Sequence, residues 1–66
     1  MKAYNTNVLL KIVTENSDYI EGEIISIGNN VSTDLTVGMK VVIGKYAGQL
    51  YKAHIIVNYT DILVIL

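Results

Sequence analysis

The side chains of this 66-residue chain that could take part in chemistry are few and scattered. His54 is the only histidine, and as a catalytic base it would need a nucleophile or a carboxylate beside it. The spacing of the surrounding residues indicates no such partner, so we interpret His54 as a surface histidine. Cysteine is absent, which excludes disulfides and cysteine-based metal sites. The sequence therefore predicts a protein without a catalytic centre, a metal or a cofactor.

Two further patterns resemble parts of active sites but have simpler interpretations. Glu21 and Glu23 share one face of a predicted strand, and paired carboxylates can act as acid and base when their surroundings differ. We interpret them as solvated surface charge. Lys45 lies in the glycine-bounded segment 44–48, which lacks the spacing and the following helix of a phosphate-binding loop. We interpret this segment as a hairpin-like connection.

Tyrosine is the residue type that points most directly to binding, because the chain has five Tyr and neither Phe nor Trp. Tyr combines apolar area with a polar tip and suits interfaces and half-wet clefts. Two tyrosines have a neighbouring lysine, in the pairs Lys45-Tyr46 and Tyr51-Lys52. A cleft between subunits that joined these pairs could stack a nucleotide base and contact its phosphate. The alternative is that these tyrosines only pack subunit contacts.

Length and charge limit the class of protein. Chains of this size bury only about 60% of the surface that the unfolded chain exposes, and without cysteine the remaining route to stability is oligomerisation. A net charge of −1 with no arginine argues against a nucleic-acid-binding protein. No signal peptide and no apolar run of membrane-spanning length are visible, so we expect a cytoplasmic location. The abundance of Ile, Asn, Tyr and Lys would fit an AT-rich genome, such as that of a phage.

Isoleucine and valine favour strands over helices, and the chain shows no sustained helical periodicity of apolar residues. Glycine and asparagine turns separate five or six short apolar segments. This pattern is typical of a small, partly open all-β barrel, or of a sandwich, formed as one domain over residues 1–66. The predicted strands are 7–13, 19–27, 40–43, 49–57 and 62–66.

The last predicted strand is the most informative element, because only apolar residues follow Asp61. Alternate residues of a strand point to opposite faces, so both faces of this strand are apolar. An exposed apolar edge is an aggregation template, which natural proteins avoid leaving open. We therefore predict that this strand is a subunit interface formed by Ile62, Leu63, Val64, Ile65 and Leu66.

Four segments, in order, resemble one known family. A Gly-Glu strand ends in Ile27-Gly28, a Val-Gly pair precedes the next strand, and Asp-Ile-Leu begins the last one. In this order they resemble the 10-kDa co-chaperonin family, the GroES-like lids of chaperonin cages. The signature also occurs in the catalytic domain of zinc alcohol dehydrogenases, which has the same fold, but this chain lacks their cysteine ligands. The segments are 7–12, 22–28, 35–48 and 59–65.

The resemblance implies how subunits would meet. In co-chaperonins the last strand of one subunit pairs with the first strand of the next and closes a ring. By analogy, Val8, Leu10 and Ile12 would meet the last strand of a neighbour; pairing of the two strands within one subunit is the alternative. The family's mobile loop, which docks on the chaperonin, corresponds here only to residues 13–21. Tyr19 and Ile20 are its apolar candidates for chaperonin contact.

Two functions of different classes follow. The first is an oligomeric GroES-like capping protein, a reduced co-chaperonin of viral type, whose partner is a chaperonin. The second is a non-enzymatic viral or bacterial binding protein on the same scaffold, which sequesters a small anionic ligand such as a nucleotide, or a host factor, at subunit interfaces. Both are homo-oligomers that bind neither a nucleic acid polymer nor a membrane, and no catalytic group is visible for an enzyme. The residues for the anionic ligand are Lys45, Tyr46, Tyr51 and Lys52.

Overall fold

The chain forms an antiparallel sheet of six strands in a computed structural model that describes residues 1–32 and 34–66. Across the described sheet the order is β4-β5-β1-β2-β3-β6, so β4 and β6 are its two edges. A 3₁₀ helix, Tyr59–Asp61, joins β5 to β6. The prediction of a small all-β fold with five or six short strands is confirmed, and the sheet is not closed. The strands are β1 (Asn7–Glu15), β2 (Tyr19–Ile27), β3 (Lys40–Gly44), β4 (Gln49–Tyr51), β5 (His54–Asn58) and β6 (Ile62–Ile65).

The connections require a strongly curled sheet. Strands β3 and β4 stand four positions apart in the sheet, a distance of roughly 19 Å if the sheet were flat. Residues 45–48 join them and can span at most about 17 Å. Strands β5 and β6 also stand four positions apart in the sheet, and only the three-residue 3₁₀ helix joins them. The sheet therefore curls around an interior, and the prediction of a hairpin-like connection at 44–48 is wrong, because β3 and β4 do not pair.

Aliphatic side chains from four strands fill this interior. Alternate residues are buried along β2, β3 and β5, as expected for a sheet with one face on the core. Each fully buried side chain of this kind contributes about 1.5–3 kcal/mol relative to an exposed one. No polar residue is buried within the described chain. The core residues are Val8, Leu10, Ile20, Ile24, Val41, Ile43, Ile55 and Val57.

The turn between β1 and β2 is built by an asparagine. The Oδ1 atom of Asn16 accepts hydrogen bonds from the backbone N–H groups of Asp18 and Tyr19, at 2.9 and 2.8 Å. Asn side chains commonly close turns in this way. Because this turn is so short, β1 runs past residue 13, where we expected it to end, as far as Glu15.

The predicted strand 49–57 is wrong, because the structure divides it into a tight hairpin. Strand β4 ends at Tyr51 and pairs with β5, which begins at His54. Lys52 adopts a φ of 56°, the left-handed conformation that such turns require. Gly, Asn and Asp are the residues that normally signal this turn, and none is present here. The hairpin creates an edge strand that the sequence pattern does not reveal.

Gly48 holds the start of β4 close to β5. Its φ is +73°, and a Cβ atom at this position would lie 2.4 Å from the carbonyl oxygen of Ile56. We expect Gly48→Ala to lower the free energy of unfolding by at least about 1 kcal/mol. Gly44→Ala is the matched control, since nothing lies within 4 Å of its Cβ position. Urea denaturation measures both, and equal losses for the two variants would contradict this prediction.

Candidate assembly edge and surface sites

Strand β6 is an apolar strand at an edge of the sheet. It pairs with β3 on one side, and no strand of the described chain pairs with its other side. Three of its apolar side chains, and that of the residue directly after it, are about half exposed or more, from 49% to 64%. An unpaired apolar edge of this kind can template pairing with another chain. The four residues are Leu63, Val64, Ile65 and Leu66.

Both faces of β6 are apolar, because its register with β3 distributes its side chains to the two sides. Ile62 and Ile65 lie opposite buried residues of β3, on the interior side of the sheet. Val64 lies opposite Val42, on the outer side. A register shift between these positions leaves Leu63 as an extra residue, as in a β-bulge. No charged side chain interrupts the strand on either face.

An apolar groove of about 290 Å³ runs beside β6. Its walls come from β6, from the 3₁₀ helix and from the loop before β3, and all are aliphatic or aromatic. A groove of this composition suits the apolar side chains of another strand better than an anion. The lining residues are Leu35, Tyr59, Ile62, Leu63, Val64 and Ile65.

A second groove of about 290 Å³ lies beside β4, the other edge of the sheet. Leu50 of β4 is opposite the buried Ile55, yet its own side chain is 70% exposed. Lys45 and Glu15 form an ion pair at the wall of this groove. Like the first groove, it marks a place where the open sheet leaves its interior partly uncovered. The lining residues are Ile12, Glu15, Ile20, Lys45, Tyr46, Ala47, Gly48, Leu50 and Ile55.

The predicted pairing of the first strand with a neighbour's last strand is wrong for residues 7–11. Strand β1 is internal: it pairs with β2, and through residues 7–11 also with β5. Val8 and Leu10 are buried in the core of the subunit, and Ile12 packs against that core. A neighbour's last strand cannot add to this part of β1 while the sheet is intact. The alternative, pairing of the first and last strands within one subunit, is also wrong, because β6 pairs with β3.

The two residues predicted to contact a chaperonin point to opposite faces of β2. Ile20 is only 4% exposed and belongs to the core, so its prediction as a contact residue is wrong. Tyr19 begins the strand and has about half of its side chain exposed. Tyr19 is therefore the accessible member of the pair.

The four residues predicted to hold an anion form two separate pairs on either side of β4. Lys45 and Tyr46 line the groove beside β4, where the Nζ atom of Lys45 contacts the carboxylate of Glu15. Lys52 follows β4, and its Nζ atom lies 5.7 Å from the ring centre of Tyr51, within cation–π range. The groove beside β4 is lined by Lys45 and Tyr46 but not by Tyr51 or Lys52, and a cleft shared between subunits stays a prediction.

A polar row crosses the outer face of the sheet. Strand pairing aligns Tyr51, His54, Lys11, Glu23 and Lys40 on consecutive strands. Glu23 thus stands between two lysines, an arrangement that stabilises a sheet through opposite charges. His54 is half-buried rather than freely solvated, and its Nδ1 atom is buried without a hydrogen-bond partner in the described chain. The row depends on register, so no local sequence signal could have revealed it.

Comparisons with protein-family models, with curated proteins and with solved structures found no match to this chain. The resemblance to co-chaperonins therefore remains a prediction from the residues. In residues 1–32 and 34–66, no group of three or more His, Asp or Glu side chains is placed to hold a metal ion. The same residues include no helix long and apolar enough to cross a membrane.

Proposed function

We propose that this chain is a non-enzymatic binding protein that assembles with copies of itself through the open edge of β6. The observation that carries the proposal is the exposure of Leu63, Val64 and Ile65 on a strand whose outer edge pairs with no strand of the described residues. A strand added at this edge would gain backbone hydrogen bonds and apolar burial together. For a domain of this size, such a partner also supplies stability that its small core lacks.

The size of a stable interface indicates how much surface a neighbour must cover. Standard interfaces bury about 800 Å² on each partner. The chain exposes 4270 Å², so an interface of standard size would take about a fifth of its surface. One edge strand is too small for this area. A neighbour must therefore also fill the groove beside β6, where Leu35 and Tyr59 extend the apolar surface.

The ligand of such an assembly is proposed from the residues around β4. Lys45-Tyr46 precedes this edge strand and Tyr51-Lys52 ends it, so a neighbour at β4 would place both pairs at a subunit boundary. A small anion with an aromatic part, such as a nucleotide, suits paired lysines and tyrosines. Capping of a chaperonin in the cytoplasm is a second role, which rests on the resemblance and would use Tyr19 as the accessible contact.

The molar mass in solution tests self-assembly. One chain has a mass of 7.3 kDa. We expect light scattering over a range of protein concentrations to give a defined multiple of this mass. A mass of one chain at every concentration would contradict the proposal.

Calorimetric titration with a panel of nucleotides tests the ligand. We expect one nucleotide to bind, and Tyr51→Ala to weaken that binding by roughly 5-fold to 150-fold, because stacking of a base on an aromatic ring is worth about 1–3 kcal/mol. Lys52→Ala is expected to weaken it as well. Tyr4→Ala is the matched control, since Tyr4 is exposed and lies far from β4 in the chain. If no nucleotide binds, the proposal of a nucleotide ligand is wrong, whereas the proposal of self-assembly is unaffected.

A further inference from the structure

We propose that copies of this chain assemble head to tail, with the β6 edge of one copy paired to the β4 edge of the next. This inference rests on the proposed self-assembly through β6 and names the surface that β6 meets. The occupant of both grooves is therefore a second copy of the same chain. Three features of the described residues support it: the two matching open edges, their apolar faces and their charges.

The two edges of the sheet are incomplete in the same way. Each has a groove of about 290 Å³ beside it, where the open sheet leaves part of its interior uncovered. A two-fold pairing of β6 with β6 would cover one groove in each copy and leave β4, with its exposed Leu50, open. Pairing of β6 with β4 covers both edges of every copy once the chain of subunits closes into a ring.

The faces of the two edge strands match. Leu50 lies opposite Ile55 and Ile65 opposite Val41, so both side chains are on the interior side of the sheet. An antiparallel pairing of Leu50 with Ile65 of the neighbouring copy would continue that interior across the boundary. The same register sets Tyr51 beside the neighbour's Val64 on the outer side. Apolar area is thus buried on both faces at once.

The charges near the two edges are complementary. Asp61 comes directly before β6, whereas β4 is flanked by Lys45 and Lys52. Residues 44–53 contain no acidic side chain. Lys45 is already paired with Glu15, so Lys52 is the cation available to a neighbour's carboxylate. The β4 edge therefore attracts the end of β6 that carries Asp61.

Two single variants and their mixture test the inference. Leu50→Lys blocks the β4 edge and Val64→Lys blocks the β6 edge, and both sites are exposed enough for a lysine to reach water in the free subunit. We expect each variant alone to have the 7.3 kDa mass of one chain. Mixed in equal amounts, they should form a dimer of one copy of each, because one intact β4 edge and one intact β6 edge remain. Formation of this dimer also shows that both variants are folded.

The outcomes separate this inference from self-assembly itself. Leu50→Lys at the wild-type mass, with Val64→Lys monomeric, would overturn head-to-tail pairing and leave assembly through β6 in place. Two monomeric variants that give no dimer on mixing would also overturn head-to-tail pairing. Wild-type mass for both variants would overturn both proposals.

Discussion

A lysine at position 64 is expected to convert the assembly into single chains of 7.3 kDa. Val64 lies opposite Val42 on the outer side of β6 and is 49% exposed, so a lysine there reaches water in the free subunit. In the proposed assembly the neighbour's strand would pack beside this position, so the ammonium group would lose hydration without gaining a partner. A charge left without a partner costs up to about 3–5 kcal/mol where it is fully buried. The dissociation constant should therefore rise by roughly a hundredfold or more, as measured by light scattering against protein concentration.

Val13→Lys is the matched control for this experiment. It makes the same change of residue and charge at a similarly exposed position, 42%, but on β1, which lies three positions away from β6 in the sheet. We expect this variant to keep the mass of the wild-type assembly. If both variants dissociate, the effect comes from added charge in general. If neither dissociates, β6 is not the edge through which copies assemble.

Ile24→Ala is expected to have the largest effect on stability, lowering the free energy of unfolding by about 2–5 kcal/mol. Ile24 is fully buried on β2 and packs in the core with residues of the neighbouring strands. At about 0.05–0.15 kcal/mol per residue, the whole domain is stable by only about 3–10 kcal/mol. The cavity left by this truncation therefore removes a large part of the total.

Urea denaturation at one fixed protein concentration measures this loss, because assembly makes the midpoint depend on concentration. Ile24→Val is the conservative comparison and should cost about 0.5–1.5 kcal/mol. The order of stability should be wild type, then valine, then alanine. An alanine variant as stable as the wild type would show that Ile24 does not lie in the core.

The strand content could be predicted from local pattern, but the order of strands could not. Strand β2 has the predicted bounds, because alternation and polar turns bracket residues 19–27 on both sides. The hairpin at Lys52 could not be predicted, because no turn-forming residue marks it. That β1 is internal depends on pairing with β5, which lies far along the chain, and no local pattern specifies such a partner.

The candidate site was likewise predictable only where local sequence pattern determines it. The exposed apolar β6 was predictable, because apolar residues on both faces of a strand in so short a chain leave too little structure to cover them. The β4 edge was not predictable, because residues 49–51 belong to the longer predicted strand 49–57. The burial of Ile20 did have a signal, because alternation along β2 sets it on the same face as Ile24. The resemblance to a mobile loop led instead to its prediction as a contact residue.

Hydrogen exchange at the Ile65 amide reports whether the outer edge of β6 is paired in solution. The N–H of Leu66 donates to the carbonyl of Lys40 on β3, at 2.8 Å. Backbone groups of adjacent strand residues point to opposite sides, so the N–H of Ile65 faces the open edge. We expect this amide to be protected in the wild-type protein and to exchange rapidly in Val64→Lys. Exchange at the rate of a free amide in the wild-type protein, under the conditions of the mass measurement, would contradict pairing of this edge.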